Sequence, residues 1–349
     1  MYTETINEYF AACNGFSGFK SYFREVFDRK KFTKVYILKG GPGTGKSTLM
    51  KKVRKAFESK FKCETILCSS DPNSLDGLII ESKEKRFAII DGTPPHEEDT
   101  RYPGAIDEII NLGEAFNEHE LSTRKKEIIF LCETKAKHYR SAYSFLELSG
   151  FVFKKRFDIT KSAYVGSDDS LIFDIIQDIP KKRHGRNERI ALLSSFSKNG
   201  FQSINTNVSD VITVTGSYDS QYIFLYRLYR LISSQNIDFT IVYSPFSNEL
   251  IEGIFIPDFN KLFIKGENGK SVINTTRFLD EDILKTNEAI LNRYKEIESE
   301  LQLLAKDEFK QASDAHFSLE DIYTQNVDFE IVDKITESII NEIKIKINS

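Results

Sequence analysis

The chain has 349 residues, which at about 150 residues per domain is long enough for two domains and too long for one small module. Hydrophobic residues make up 40% of it and charged residues 29%, so wholesale disorder and a fibrous repeat are excluded. Lysine plus arginine number 48 against 52 for aspartate plus glutamate, a formal net charge of −4, and no global basic field exists to hold nucleic acid or an anionic membrane.

The opening MYTETINEYF carries acidic residues and no apolar core of a signal peptide, and no run approaches the roughly 18 apolar residues of a membrane helix. The four cysteines, at 13, 63, 68 and 132, lack the spacing of a disulfide framework or a zinc site. A reducing compartment follows, and the expected location is the cytoplasm, with no membrane partner and no indication of nucleic acid.

The first informative segment is VYILKGGPGTGKSTLMKKVRKAF, beginning at Val35. VYIL is the short apolar run of a buried strand, and Leu49, Val53 and Phe57 recur at helical spacing after it. Between them Gly40, four residues and Gly45-Lys46-Ser47 fit the phosphate-loop pattern G-x-x-x-x-G-K-[ST]. Its glycines leave the backbone free to aim N–H groups at phosphate oxygens, and the helix N-terminus adds positive potential. The residues expected to hold ATP are therefore Gly40, Gly41, Pro42, Gly43, Thr44, Gly45, Lys46, Ser47 and Thr48. Lys46 supplies a cation for the γ-phosphate and Ser47 a hydroxyl for Mg²⁺.

Such a loop needs a second anchor for the metal, usually an aspartate ending a neighbouring apolar strand. RFAIIDGTPPH provides Asp91, the candidate second magnesium residue and, with Lys46, a candidate catalytic residue. Gly92 follows where many ATPases place a catalytic glutamate, so the water-activating base is not evident; Asp71, His96, Glu97 and Glu98 are the nearby candidates.

An internal repeat extends beyond this region. VITVTG at 211–216 resembles VYILKG at 35–40, an offset of 176 that also places IEGIFI at 251–256 on LDGLII at 75–80. In that register Gly40 falls on Gly216, but Gly45, Lys46 and Ser47 fall on Gln221, Tyr222 and Ile223, and Asp91 falls on Gly266 or its neighbours. The second half is expected to have lost its nucleotide site. The boundary is placed in IPKKRHGRNERIA, giving a domain over 1–184 with an intact loop and a degenerate one over 185–349. The basic cluster Lys181, Lys182, Arg183, Arg186 and Arg189 reads as a solvated linker or a source of an in-chain arginine finger; Arg227 and Arg230 are weaker candidates. A helix is expected over about 120–149, a long charged one from Asp280, and a last amphipathic helix, DFEIVDKITESIINEIKIKI, packing back on its own domain.

The stretches ILKGGPGTGKST, CSSDPNSLDG, DGTPPH followed by YPG, and NLGEAF, with AHFSLEDIY near the C-terminus, resemble the bacterial tandem P-loop ATPases. The resemblance spans most of the chain. It implies an α/β fold of two tandem P-loop NTPase-like three-layer domains with mostly parallel sheets, the triphosphate on Gly40 to Thr48 and magnesium on Ser47 and Asp91. Members of that family often carry an intact loop in both halves, so the loss at Gln221, Tyr222 and Ile223 is a departure. The expected activity is that of a Mg-dependent ATPase whose second half serves regulation or partner docking. The alternatives are a small-molecule or nucleotide kinase using the same loop, and a nucleotide-dependent binding protein.

Overall fold

The computed structural model describes residues 6–166, 168–179, 187–247 and 249–349. The 184/185 boundary, and Lys181, Lys182, Arg183 and Arg186 of the basic cluster, lie outside the described residues.

In chain order the first half comprises β1 (Glu8–Phe10), β2 (Ala12–Gly15), β3 (Gly18–Ser21), α1 (Phe23–Val26), β4 (Lys34–Lys39), α2 (Lys46–Phe57), β5 (Lys62–Leu67), β6 (Leu75–Glu81), β7 (Arg86–Asp91), β8 (Asp107–Asn111), α3 (Glu118–Thr123), α4 (Lys125–Ala163) and α5 (Asp169–Asp178). The second comprises β9 (Glu188–Ala191), β10 (Ser194–Ser197), β11 (Gly200–Ser203), β12 (Asp210–Thr215), α6 (Ser220–Ile232), β13 (Phe239–Tyr243), β14 (Ile251–Ile256), β15 (Lys261–Lys265), β16 (Ser271–Asn274), α7 (Glu281–Thr286), α8 (Glu288–Thr324) and α9 (Phe329–Asn348).

Among the described residues the strands form two six-stranded sheets and two hairpins. The orders β1-β5-β6-β7-β4-β8 and β9-β13-β14-β15-β12-β16 are the same order in corresponding strands, so the repeat read in the sequence is a repeat of topology. Both sheets are mixed but mostly parallel, three of the five pairings in each running parallel; β6 alone runs antiparallel in the first, to β5 and β7, and β14 alone in the second, to β13 and β15. The connections explain this. Only Ser82–Lys85 separates β6 from β7, and a link of that length closes a hairpin but not a parallel crossover, which needs a dozen residues or more.

Alternation along β4 sends Val35 and Ile37 to one face and Tyr36 and Leu38 to the other. The first face does not lie under a further helical layer of its own half. Val35, Ile37, Ile66, Ile79 and Ile90 share one core with Val242, Phe255 and Leu262 of the second sheet, joined by Phe23 of α1 and by Phe27, which follows its end. The expected three layers per domain are thus replaced by two sheets that share an inner core and carry helices outside. A two-fold-like bond pair joins the halves, Phe10 N to Leu192 O at 2.8 Å and Leu192 N to Phe10 O at 3.1 Å.

The outer helices are exchanged. α9 is amphipathic as expected, but Val332, Ile339 and Ile343 pack with Leu49, Met50, Val53 and Phe57 of α2 on the first sheet. Reciprocally, Ile172 and Ile179, from α5 and its end, pack with Phe224, Leu225 and Leu228 of α6 on the second. The crossing is made by α4 and α8, which run antiparallel: His138 meets Glu308 at 2.7 Å, and Arg156 meets Glu298 at 2.7 Å. α4 continues to Ala163, well past the expected end near residue 149, and Gly150 within it is a close-approach position, where a methyl group would lie 2.5 Å from Phe16 Cβ. No described helix is long and apolar enough to cross a membrane.

The exchange makes a stability prediction. Ile343 is fully buried, so Ile343→Ala is expected to lower unfolding stability by about 2–5 kcal/mol in denaturant titration. The accompanying loss of amide protection is expected in α2 of the first half; a loss centred on α6 would contradict the assignment.

Candidate functional site

β4 ends at Lys39, the chain passes through residues 40–45, and α2 begins at Lys46. Gly43 and Gly45 have φ of 67° and 80°, a left-handed backbone that side-chain-bearing residues avoid, so these two glycines set the loop's path. Thr44 is buried and its Oγ1 donates to Gly41 O at 2.9 Å, tying the loop across its own turn. Pro42 lies half-buried within the loop, while Thr48 is exposed on the first turn of α2.

Parallel pairing of β4 with β7 sets Leu38 opposite Asp91, which brings the two strand ends together. Lys46 Nζ consequently lies 3.6 Å from Asp91 Oδ2 and also donates to Gly40 O at 2.9 Å and Gly41 O at 3.0 Å. Both side chains are 12% exposed, so the pair is shielded without being sealed. Asp91 Oδ1 accepts from Thr93 N at 2.9 Å and Thr93 Oγ1 at 2.6 Å, which fixes the carboxylate plane and leaves Oδ2 toward Lys46. Ser47 Oγ accepts the Leu75 N–H at 3.0 Å.

Of the candidate bases, the structure engages three elsewhere. His96 is buried and stacked on Phe23, with ring centroids 4.5 Å apart. Its Nδ1 lies 3.1 Å from Asp91 O and its Nε2 3.3 Å from Asp76 Oδ2, so both nitrogens face oxygen acceptors. Burial alone would weaken its basicity, but the carboxylate of Asp76, with Asp91 behind it, outweighs burial and pushes the imidazole up to about 9. It is an imidazolium at neutral pH with no lone pair to take a proton from water. Glu98 binds Arg29 at 3.0 Å, and Arg29 also binds Asp107 at 2.7 Å. Asp71 closes its own turn, accepting from Asn73 N at 3.1 Å and Ser74 Oγ at 3.2 Å. Glu97 is exposed. The absence of a glutamate after Asp91 has a steric cause, since a side chain on Gly92 would begin 2.5 Å from Ile37 Cγ2.

The arginine-finger candidates are likewise engaged. Arg189 binds Glu64 at 2.6 Å, and Arg227 binds Asp168 at 3.1 Å and Asp169. Arg230 is exposed on α6.

The second loop keeps part of the first one's backbone and inverts its chemistry. Tyr218 and Asp219 have φ of 55° and 63° without being glycines. Tyr222, which the offset of 176 aligns with Lys46, is buried in the first turn of α6. Val214, the counterpart of Leu38, pairs with Lys265, so a lysine occupies the place of Asp91. Lys265 Nζ donates to Tyr222 Oη at 3.0 Å. Asp219 is neutralised by Arg156 at 2.7 Å, and Thr160 Oγ1 donates to Tyr218 O at 2.9 Å.

Sequence reasoning missed Asp76, buried on β6 beside His96, and the cover that the end of α8 and the start of α9 lay over the loop. Tyr323 lies against Gly41, Thr324 against Gly43, and Phe329 against Gly45. A signal for the cover existed in AHFSLEDIY, whose His316, Glu320 and Tyr323 share a helix face by their spacing. Comparison with protein-family models, curated proteins and solved structures gives no match to this chain.

The buried imidazolium makes a pH prediction. A histidine whose folded-state basicity is raised stabilises the fold fully below its unfolded value of about 6.5, and that contribution is lost as pH rises through about 9. His96→Asn is expected to lower stability at pH 6 by on the order of 3 kcal/mol and to flatten the fall in stability between pH 6.5 and 9. Thermal unfolding across that range measures both.

Proposed function

We propose that the chain binds Mg·ATP on Gly40, Gly41, Pro42, Gly43, Thr44, Gly45, Lys46, Ser47 and Thr48 and hydrolyses it, with the second half acting in regulation or partner docking. The observation that supports this reading most is the Lys46–Asp91 pair, 3.6 Å apart where β4 and β7 end side by side beneath a left-handed glycine loop. A cation on the first residue of a helix, next to a carboxylate with one oxygen left open, is the juxtaposition that a triphosphate and a divalent ion require.

The oxygen donors suit a hard divalent cation. Ser47 Oγ and Asp91 Oδ2 would hold Mg²⁺ in company with phosphate oxygens and water, since no group of three or more metal-ligating His, Cys, Asp or Glu residues occurs among the described residues. When bound, the ion would neutralise charge on the β- and γ-phosphate oxygens.

Lys46 now rests on two loop carbonyls, Gly40 O and Gly41 O, and would leave them for the γ-phosphate. Thr93 keeps Asp91 in its present orientation, and the His96 imidazolium braces the Asp91 backbone from below. Asp71, His96 and Glu98 are engaged by other partners, so catalysis rests on positioning and on Lys46, and turnover is slow. The second loop, with Tyr222 and Lys265 in the places of Lys46 and Asp91, supports one nucleotide site per chain.

Lys46→Ala is expected to weaken Mg·ATP binding at least tenfold in calorimetric titration and to abolish phosphate release. Tyr222→Phe, which keeps the buried ring, is expected to change neither. Equal loss from both substitutions would overturn the one-site reading, and ADP formation that depends on an added acceptor would assign the chain to the kinases.

A further inference from the structure

A triphosphate held on residues 40–48 has a direction that the strand order sets. β4 has β7 on one side and β8 on the other. Asp91 ends β7 and lies 3.6 Å from Lys46, so the metal ion and the γ-phosphate belong on the β7 side of the loop. The nucleoside, at the far end of the triphosphate, then leaves toward the end of β8, where the second half crosses over. There the corner between α8 and α9 is pinned to the first half by backbone bonds, Asn117 N to Asn326 O at 2.9 Å and Asp328 N to Ala115 O at 2.8 Å. Asp328 also caps α9, its Oδ1 accepting from Glu330 N at 2.9 Å.

This corner sets two aromatic rings of the second half against the glycine loop. Tyr323 lies on Gly41 and is already packed against Phe116, with ring centroids 5.4 Å apart. Phe329, the first residue of α9, meets Gly45: a methyl group there would lie 3.5 Å from Phe329 Cε1 and 3.8 Å from its Cδ1. Phe329 is 42% exposed, although Val332 one turn further on is buried with α2. A firmly held, half-open ring beside the last glycine before Lys46, away from the metal residue, offers a base a surface to stack on. We propose that Phe329 is the platform for the base of the bound nucleotide, so that the first half holds the triphosphate and the second half the nucleoside. This inference rests on the nucleotide reading of residues 40–48. Stacking uses the π-face that every base has, so Phe329 supplies affinity without choosing between adenine and guanine. The nucleotide bridges the two halves.

The test titrates the full chain and its Phe329→Ala and Phe329→Tyr variants with Mg·ATP and with magnesium tripolyphosphate, which carries the phosphates and no base. In Phe329→Ala the affinity for Mg·ATP is expected to fall roughly tenfold while that for tripolyphosphate stays unchanged. Phe329→Tyr, which keeps a stacking ring, is expected to match the unmodified chain with both ligands. An affinity ratio between the two ligands that is unchanged in Phe329→Ala overturns the inference alone; parallel weakening of both would make Phe329 a support of the loop. A ratio lowered as far in Phe329→Tyr as in Phe329→Ala also overturns it alone. Failure of the unmodified chain to bind Mg·ATP overturns the nucleotide reading and this inference with it.

Discussion

Each sheet has an outer face on which its own half places one helix, α2 or α6, and that helix alone leaves much of the face bare. The missing cover comes from the opposite half, α9 for the first sheet and α5 for the second. Everything else about the site follows from this exchange. To deliver α9 and α5, the chain must send α4 and α8 past one another, and they can lie side by side only as an antiparallel pair fastened by contacts such as Arg156 with Glu298. The C-terminal end of α8 then arrives over residues 40–45, and the end of α4 arrives over residues 216–221, where Thr160 and Arg156 hold Tyr218 and Asp219. A loop in one half is covered by a helix of the other because apolar surface had to be buried.

The two loops differ more in side-chain chemistry than in backbone path. Tyr218 and Asp219 keep a left-handed path that costs on the order of 1–2 kcal/mol for each non-glycine residue. Hydrogen bonds and an ion pair from α4 hold them there. The charge-bearing positions, by contrast, have been replaced outright: lysine and aspartate give way to tyrosine and lysine, and Glu252, pushed upward by burial, closes the network with Tyr222, Ser244 and Ser194. The cradle of the second half is filled by its own side chains.

The loop and the repeat were legible because both rest on local rules. Glycine at positions 43 and 45 is demanded by φ, the spacing of Leu49, Val53 and Phe57 by helix geometry, and the offset of 176 by strand-for-strand duplication. Strand direction was not legible: β6 reads LDGLIIE, apolar on both faces, and such a run carries no mark of whether it pairs parallel or antiparallel. The destination of α9 was hidden for a related reason, since an amphipathic stripe specifies that a face is buried and not against which partner. His96 could be read only as one candidate base among four, because its partners, Asp76 and the carbonyl of Asp91, are brought to it by tertiary packing.

The placement of α9 also orders events during synthesis. The strands that flank residues 40–45 are complete once residue 111 has been made, yet their outer face waits for residues 329–348, so the nascent first half leaves the ribosome with an apolar flank open. Assembly of the end that carries residues 40–45 is therefore a late step, and premature termination anywhere in α8 strands a nearly finished sheet without its lining.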